Sequence, residues 1–439
     1  MTSTDASQPG TDPAAQPAPD PATPAPLAGV RVLEIGQFMA APFATMQLAD
    51  LGADVIKVEN PTGGDPVRQT GPFLDGESSP FVRLNRNKRS VAVDLKSEEG
   101  KQVLRRLIAE ADVLVENLRP GTLRRLGFGW EDARAINPRL VYVSASGWGQ
   151  DGPLSQLPGL DIMAQARSGL MSITGTPDGD PVKVGVPICD LVCALYAALA
   201  ATSALQARQV TGEGQHIDVS LYESGVSFAI WEAGKYWATG EVGRPLGSAH
   251  QSTAPYQAVR TSDGFVTLGA VTPKTWQGMC EALDLEHLLQ DDRYRNAFDR
   301  QARRDTLIPA IEESTTRRTT EEVVAALDAA GVPCAPIATM DQVFTDDHLG
   351  QRDYYWEAPH PALGSVRQLG SPMRFGSTPA VRRNAGPALG ADTRAVLTAA
   401  GMSEDELEAL LEAGVVAEPA RGHQPEPDAA ASPGYTPPE

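Results

Sequence analysis

Val30-Arg-Val-Leu-Glu-Ile35, then Ala41-Pro-Phe-Ala-Thr-Met-Gln-Leu-Ala-Asp-Leu51, then Val55-Ile-Lys-Val58 ending at Glu59, is the stretch on which the fold turns. The first and third runs are short and rich in β-branched residues, the composition of buried strands. The middle run has the length and composition of a helix. Together they read as a β-α-β unit. The alternation continues through a helix over Glu98 to Ala111, a strand at Val113 to Val115, a short helix around Glu131 to Ile136 and a strand at Leu140 to Ser144. Strands separated by helices of this length imply a parallel sheet with both faces covered, and hence an α/β fold of Rossmann-like type.

The pattern changes after Ser224. Pro255 to Thr261, the turn Ser262-Asp-Gly264 and Phe265 to Ala270 predict a β-hairpin, and Thr319-Thr-Glu-Glu322 has the form of a capping box opening a helix. Residues 226–335 are therefore expected to form a smaller α+β domain. Gly331-Val-Pro-Cys-Ala-Pro-Ile337 would lead the chain back, so that 27–225 and 336–416 make up the large domain. Residues 1–26 and 417–439, dominated by Pro, Ala, Ser, Thr, Gly and acidic side chains, are expected to be disordered tails.

Composition narrows the function. The chain has 439 residues, and 37 basic against 56 acidic ones give a formal charge of −19. Nucleic acid and anionic membrane are poor partners for such a surface, so an anionic ligand must meet local cations or helix N-termini. The four cysteines form no CxxC pair, and no two of the six histidines lie at a ligand spacing, so no metal is expected. The first thirty residues have neither a basic start nor an apolar core, which predicts a cytoplasmic protein. Val186 to Leu205 approaches membrane-spanning length, but its Ala content and its Asp190, Thr202 and Ser203 fit a soluble core helix better.

Asp190 stands alone in the most apolar stretch, Val186-Pro-Ile-Cys-Asp190-Leu-Val-Cys-Ala-Leu-Tyr-Ala-Ala-Leu-Ala-Ala201, at the start of a helix of about 15 residues. A carboxylate there is costly unless paired or hydrogen-bonded. An Asp so placed commonly caps its helix; the alternative is a reactive group. Two cationic runs are candidates for holding a phosphorylated cofactor. Asn85-Arg-Asn-Lys-Arg89 supplies Arg86, Lys88 and Arg89, and Asn117-Leu-Arg-Pro-Gly121 directly follows a strand, where ligands of open α/β sheets bind. Taken alone, a charge run is as often a solvated surface. Gly147-Trp-Gly-Gln-Asp-Gly152 matches GxGxxG, but Pro153 to Pro158 cannot open the helix that a dinucleotide site requires.

Several ordered motifs resemble one known family. They are Leu27-Ala-Gly-Val-Arg-Val-Leu-Glu34, Leu51-Gly-Ala-Asp-Val-Ile-Lys-Val-Glu59, Gly64-Asp65, Asn85-Arg-Asn-Lys-Arg-Ser90, Val115-Glu-Asn-Leu-Arg-Pro-Gly121, Gly147 to Pro153, Ser168 to Met171 and Thr211 to Gln215. The sequence resembles the family III CoA-transferases, which also include formyl-CoA transferase, carnitine CoA-transferase and the α-methylacyl-CoA racemases, over roughly residues 27 to 410. The resemblance implies a large Rossmann-like domain, a small domain and two chains interlocked as rings in a homodimer. It makes Asp190 the nucleophile that carries acyl and CoA groups in turn. For coenzyme A it points to Asn60, Asp94, Leu95, Lys96, Asn117, Leu118, Arg119, Arg125, and Pro158, Gly159, Leu160 and Asp161. Asn60 stands where formyl-CoA transferase has an Arg.

Gly147 and Gly149, with backbone N–H groups near the helix start, are expected to stabilise oxyanions, and His250 to meet a substrate carboxylate. Racemisation needs a base on each face of the α-carbon, and the racemase partners of the aspartate would fall at Leu160 and Thr272, neither of which is a base. Covalent CoA transfer from an acyl-CoA to a carboxylic acid is the expected activity, with a dicarboxylate such as succinate or glutarate as the leading substrate class and succinyl-CoA as donor. A racemase or a non-catalytic CoA-binding homologue is the alternative.

Overall fold

The structure is a computed structural model and describes residues 24–419. Its central sheet is built on strands β1 (Arg31–Ile35), β2 (Asp54–Glu59), β3 (Arg89–Val93), β4 (Val113–Glu116), β5 (Val141–Ser146) and β6 (His216–Ser220), in the spatial order β3-β2-β1-β4-β5-β6. All of these neighbours pair in parallel, and Val416–Ala417 adds an antiparallel strand against Val93 and Ala92. The order reverses at β1, so β1 and β4 flank the switch point at which open α/β sheets form their ligand crevice.

Helices cover both faces, as near-continuous apolar strands require. Helix α1 (Ala40–Asp50) and helix α4 (Ile188–Thr211) pack on one face. There Ala41, Ala44 and Ala49 meet Ala194, Ala197, Ala201 and Ala204, the latter four spaced three or four apart, so the two helices approach closely. Ala197→Leu would overpack this contact, costing about 1–3 kcal/mol. Helices α2 (Glu98–Ala109) and α3 (Trp130–Ile136) bury Val103, Leu104, Leu107, Ile108 and Ala133 on the other face.

Two strands lay hidden in the sequence reading. β3 follows a charged run and β6 a Gly-containing turn, yet Val91 and Val93 are fully packed in the core. Helix α4 is also longer than expected, at 24 residues. It is long and apolar enough to cross a membrane, but half of its most apolar stretch is buried against protein.

The chain divides into two compact units. The first takes in the described residues up to Ala164, then Pro187–Gly225, then those from Asp353 on; the second is Gln165–Val186 with Val226–Arg352. The second unit thus gains residues 165–186 and extends beyond 335. It holds helix α5 (Ile230–Thr239), strands β7 (Tyr256–Arg260) and β8 (Phe265–Gly269), helices α6 (Pro273–Ala282), α7 (Arg304–Thr315) and α8 (Thr320–Ala329), and strand β9 (Cys334–Pro336). The hairpin pairs Phe265 with Arg260 and Gly269 with Tyr256. Thr319 and Glu322 form the capping box, at 3.2 and 2.8 Å. The segment read as the return path is instead strand β9, pairing Val266 with Pro336, because its alternating small apolar residues complete this sheet. The tails lie largely outside the described residues. The C-terminal boundary nevertheless needs correcting, since Ala417 pairs with Ala92 and Glu418 with Arg394.

Candidate active site

At the carboxyl ends of β1, β2, β3 and β4 the chain leaves a cavity of about 280 Å³. Its apolar wall comes from Ile35, Val58, Val93, Leu95, Leu118 and Leu126, and its polar rim includes Gln37, Asn60, Lys96 and Arg125. Six residues named from the sequence for CoA, Asn60, Asp94, Leu95, Lys96, Leu118 and Arg125, meet here. Asn117 does a different job. Its side-chain amide accepts from the Gln37 N–H at 2.9 Å and donates to the Gln37 carbonyl at 2.8 Å, tying the loop after β1 to the end of β4. Arg119 is exposed on the following turn. Asn60 accepts from the Thr62 N–H at 2.7 Å, an Asx turn that shapes the rim.

The floor beside this cavity is a buried network of charges. Glu34 accepts from Lys57 at 2.5 Å, from Lys88 at 2.8 Å and from Thr45 at 2.6 Å. Lys57 also reaches Asp65 at 2.9 Å and the Gly36 carbonyl at 3.0 Å, and Asp65 accepts the Phe38 N–H at 3.2 Å. The Gly36 loop is thereby fixed, and a side chain at Gly36 would stand 2.6 Å from the Ala41 Cβ. Burial pushes the Glu34 carboxyl up, but Lys57 and Lys88 outweigh it and hold it at about 2. Burial, countered in part by Glu34, lowers Lys88 to about 8.

These contacts correct the assignment of Arg86, Lys88 and Arg89 to CoA. Lys88 is 1% exposed and paired with Glu34, Arg86 is buried against Asp50, and Arg89 is held by Asp54. The run precedes β3, so it enters the sheet from the amino end, opposite the edge where the ligand crevice lies. Arg86 and Lys88 neutralise buried carboxylates, and Arg89 pairs with a part-exposed one.

Asp190 occupies the first turn of α4, partly buried, with no ion pair among the described residues. It does not cap its helix. Asp161 does, accepting the Cys189 N–H at 2.8 Å and the Asp190 N–H at 3.3 Å through one carboxylate oxygen. Burial first, and then the charge of Asp161, push the Asp190 carboxyl up to about 7. The neighbouring turn is held by Gly147, whose Cα stands where a side chain would meet Gly159 at 2.9 Å, and by the Trp148 indole donating to the Pro158 carbonyl at 3.2 Å.

The Gly149 N–H donates to Ser146 at 3.0 Å and the Gln150 N–H to Asp218 at 2.7 Å. With the Cys189 and Asp190 N–H groups engaged by Asp161, these donors are not free for an oxyanion. That expectation for Gly149 and the helix start is corrected, and Gly147 serves close packing. Leu160 is 64% exposed, and Thr272 caps α6 by accepting the Thr275 N–H at 3.2 Å.

In the second unit, His250 stacks on Tyr256 with ring centroids 5.0 Å apart and its Nδ1 accepts the Ser252 N–H at 3.2 Å. A neutral ring then carries its proton on Nε2.

The chain matches the family described as CoA-transferase family III over residues 27–393. It belongs to that family. It is 38% identical over 393 residues to the succinyl-CoA:glutarate CoA-transferase of Mus musculus, a match covering 89% of this chain and 90% of that protein. It is 35% identical over 379 residues to the succinate–glutarate CoA-transferase of Agrobacterium fabrum, covering 85% of this chain and 95% of that one. The crystal structure of a CaiB/BaiF family protein from Brucella suis superposes with a TM-score of 0.78 at 35% identity, covering 86% of this chain and all of that one. The protein is a CoA-transferase, with a CoA thioester and a carboxylic acid as substrates.

Sequence reading gave no role to Gln37, Glu59, Asp65 or Glu116 of this CoA-transferase. Gln37 was findable, because it lies two residues after the end of β1 at the switch point. Glu116 was not: burial first raises its carboxyl, to about 7, at the strand end where it accepts the Leu118 N–H at 2.8 Å.

Proposed function

We propose that the enzyme exchanges CoA between succinyl-CoA and a second short dicarboxylic acid, glutarate being the reference acceptor, through covalent intermediates on Asp190. The observation that carries this reading is a partly buried carboxylate with no cationic partner and an elevated pKa, at the start of an apolar helix. A carboxylate so poorly solvated is a better nucleophile once ionised, and it lies where water is scarce.

Asp190 attacks the donor thioester carbonyl; the C–S bond breaks and CoA leaves as thiolate. Thiolate then attacks the aspartyl carbonyl of the mixed anhydride, releasing the donor acid as carboxylate and leaving an aspartyl-CoA thioester. The acceptor carboxylate displaces thiolate from that thioester, and thiolate takes the acyl group from the new anhydride, regenerating Asp190. Each bond broken is matched by one formed, so no water, proton or outside energy source is consumed.

The cavity at the strand ends is suited to the CoA nucleotide, with Lys96 and Arg125 as its cations and apolar walls for the rest. His250, with Nε2–H outward, is a candidate donor to a substrate carboxylate. Catalysis by an interlocked homodimer is the architecture the family resemblance implies. It is supported by exposed apolar side chains on α4, including Leu195 and Leu199, and on α5, including Ile230 and Trp237 at 75% and 81% exposure.

Quenching the enzyme with hydroxylamine after incubation with succinyl-CoA should leave a hydroxamate on the Asp190 peptide, seen by mass spectrometry. Modification of another carboxylate instead would overturn the mechanism.

A further inference from the structure

Glu116 closes β4, at the sheet edge where the ligand crevice lies, and is 5% exposed. Three other buried carboxylates at or beside the cavity at the strand ends each have a cation: Glu34 and Asp65 have Lys57, and Glu59 has Arg68. Glu116 forms no ion pair among the described residues, and its partners are neutral. It accepts the Leu118 N–H at 2.8 Å, and Ser144, opposite it on β5, stabilises the carboxylate through its hydroxyl. Ser144 in turn lies 3.0 Å from His216 Nε2 on β6. A carboxylate kept in the interior without a cation is costly, and charge balance does not explain its place.

Its position does explain it. The chain leaves β4 by turning around this carboxylate, and Leu118, whose N–H it holds, lines the cavity. Asn117, between them, holds the Gln37 N–H and carbonyl at 2.9 and 2.8 Å, and Gln37 lines the same cavity. One acceptor therefore fixes the wall that follows β4 and, through Asn117, the loop that follows β1. We propose that Glu116 is a positioning residue for CoA, holding Leu118 and Asn117 so that the cavity is formed before CoA arrives, with Ser144 holding Glu116 in turn. A wall that must be ordered on binding costs affinity, and Glu116 removes that cost without touching the ligand. The inference rests on the reading above that this cavity takes the CoA nucleotide, and adds the group that keeps its walls in place.

Direct titration of the full-length enzyme with free CoA tests this in variants matched for shape. Glu116→Met keeps the length of the side chain and removes the acceptor, whereas Glu116→Gln keeps an acceptor and removes the charge. Glu116→Met should weaken CoA binding by about tenfold, the scale of one lost hydrogen bond to a charged group. Glu116→Gln should recover most of that loss. Ser144→Ala, which leaves the acceptor present but loosens it, should weaken binding by about threefold. In steady-state transfer, the KM for succinyl-CoA should rise in Glu116→Met by a larger factor than kcat falls, a split that a general loss of folded enzyme would not give.

A folded Glu116→Met or Ser144→Ala variant with wild-type affinity for CoA overturns the inference alone. So does a Glu116→Gln variant as weak as Glu116→Met, which would make the charge and not the acceptor the cause, or a fall in kcat with KM unchanged. The control is Lys96→Gln/Arg125→Gln, which removes the cations of the cavity and leaves the end of β4 intact. Wild-type CoA affinity in that protein overturns the assignment of the cavity to CoA and this inference together.

Discussion

Two clusters of buried or partly buried carboxylates lie in the first unit, and they are built in opposite ways. Glu34 is surrounded by Lys57, Lys88 and Thr45 and stays ionised at any physiological pH. Asp190 faces Asp161 and apolar neighbours, and its carboxyl titrates near neutrality. The first arrangement fixes the loop that shapes the cavity. The second keeps a carboxylate poorly stabilised, which costs folding free energy and supplies reactivity. Burial raises the pKa of both; whether cations follow the carboxylate into the interior decides structure or chemistry.

The largest expected effect separates the two on activity. Asp190→Ala should lower the transfer rate by roughly 10³-fold or more, because the nucleophilic carboxylate is lost, while leaving the protein folded with a thermal transition at neutral pH no lower than wild type. Near-normal transfer would move the chemistry elsewhere.

Next in size is a break of the first cluster. Lys57→Met leaves Glu34 and Asp65 short of a cation in the core and should cost about 3–5 kcal/mol of folding stability. Glu34→Gln combined with Lys57→Met should recover much of it. Denaturant titration of the three proteins decides this, and a single variant as stable as wild type would show that the network is not coupled.

The two clusters also carry opposite pH signatures. Glu34 has its folded pKa depressed to about 2, so its stabilisation is complete above the ordinary carboxylate range and is lost as pH falls toward 2. Asp190 has its folded pKa raised to about 7, so it favours the folded state at low pH and destabilises it progressively as pH rises from about 4 to 7. Asp190→Asn removes that second slope. At pH 8 the variant should be more stable than wild type by about 1–3 kcal/mol, discounted from the full shift because the group is partly exposed. At pH 4 the two should coincide. Equal stability at both pH values would mean that Asp190 ionises without penalty.

Much of this was legible in the sequence, for reasons that also explain the failures. The strands β1, β2, β4 and β5 were readable because their apolar runs alternate with helices of regular length. β3 was masked because Asn85 to Arg89 reads as a solvated charge run, whereas Lys88 is buried by a Glu34 that lies far off in the chain. Pairing across the fold has no local signature. The same holds for Asp161: nothing local shows that its carboxylate caps a helix beginning 27 residues later. Asp190 was findable because a lone Asp in an Ala-rich apolar helix start violates the pattern of its surroundings, and such violations concentrate at functional sites.

The smallest effect sharpens the comparison most, because it separates the two causes acting on Asp190. Asp161 contributes a hydrogen-bond acceptor to the helix start and a negative charge beside Asp190. Asp161→Asn can keep the acceptor through its carbonyl oxygen and remove the charge. Burial then acts alone, so the Asp190 pKa should remain above the ordinary carboxylate range but fall below its wild-type value by about one unit, equivalent to about 1.4 kcal/mol. The acid limb of hydroxamate formation on Asp190 should shift to lower pH by that amount, with little loss of stability. Asp161→Ala, which also strips the acceptor from the Cys189 and Asp190 N–H groups, should show a similar shift together with about 1 kcal/mol of destabilisation. If the acid limb of the Asn variant stays where wild type has it, burial by itself sets the reactivity of Asp190. Asp161 would then be an anchor for the helix and nothing more.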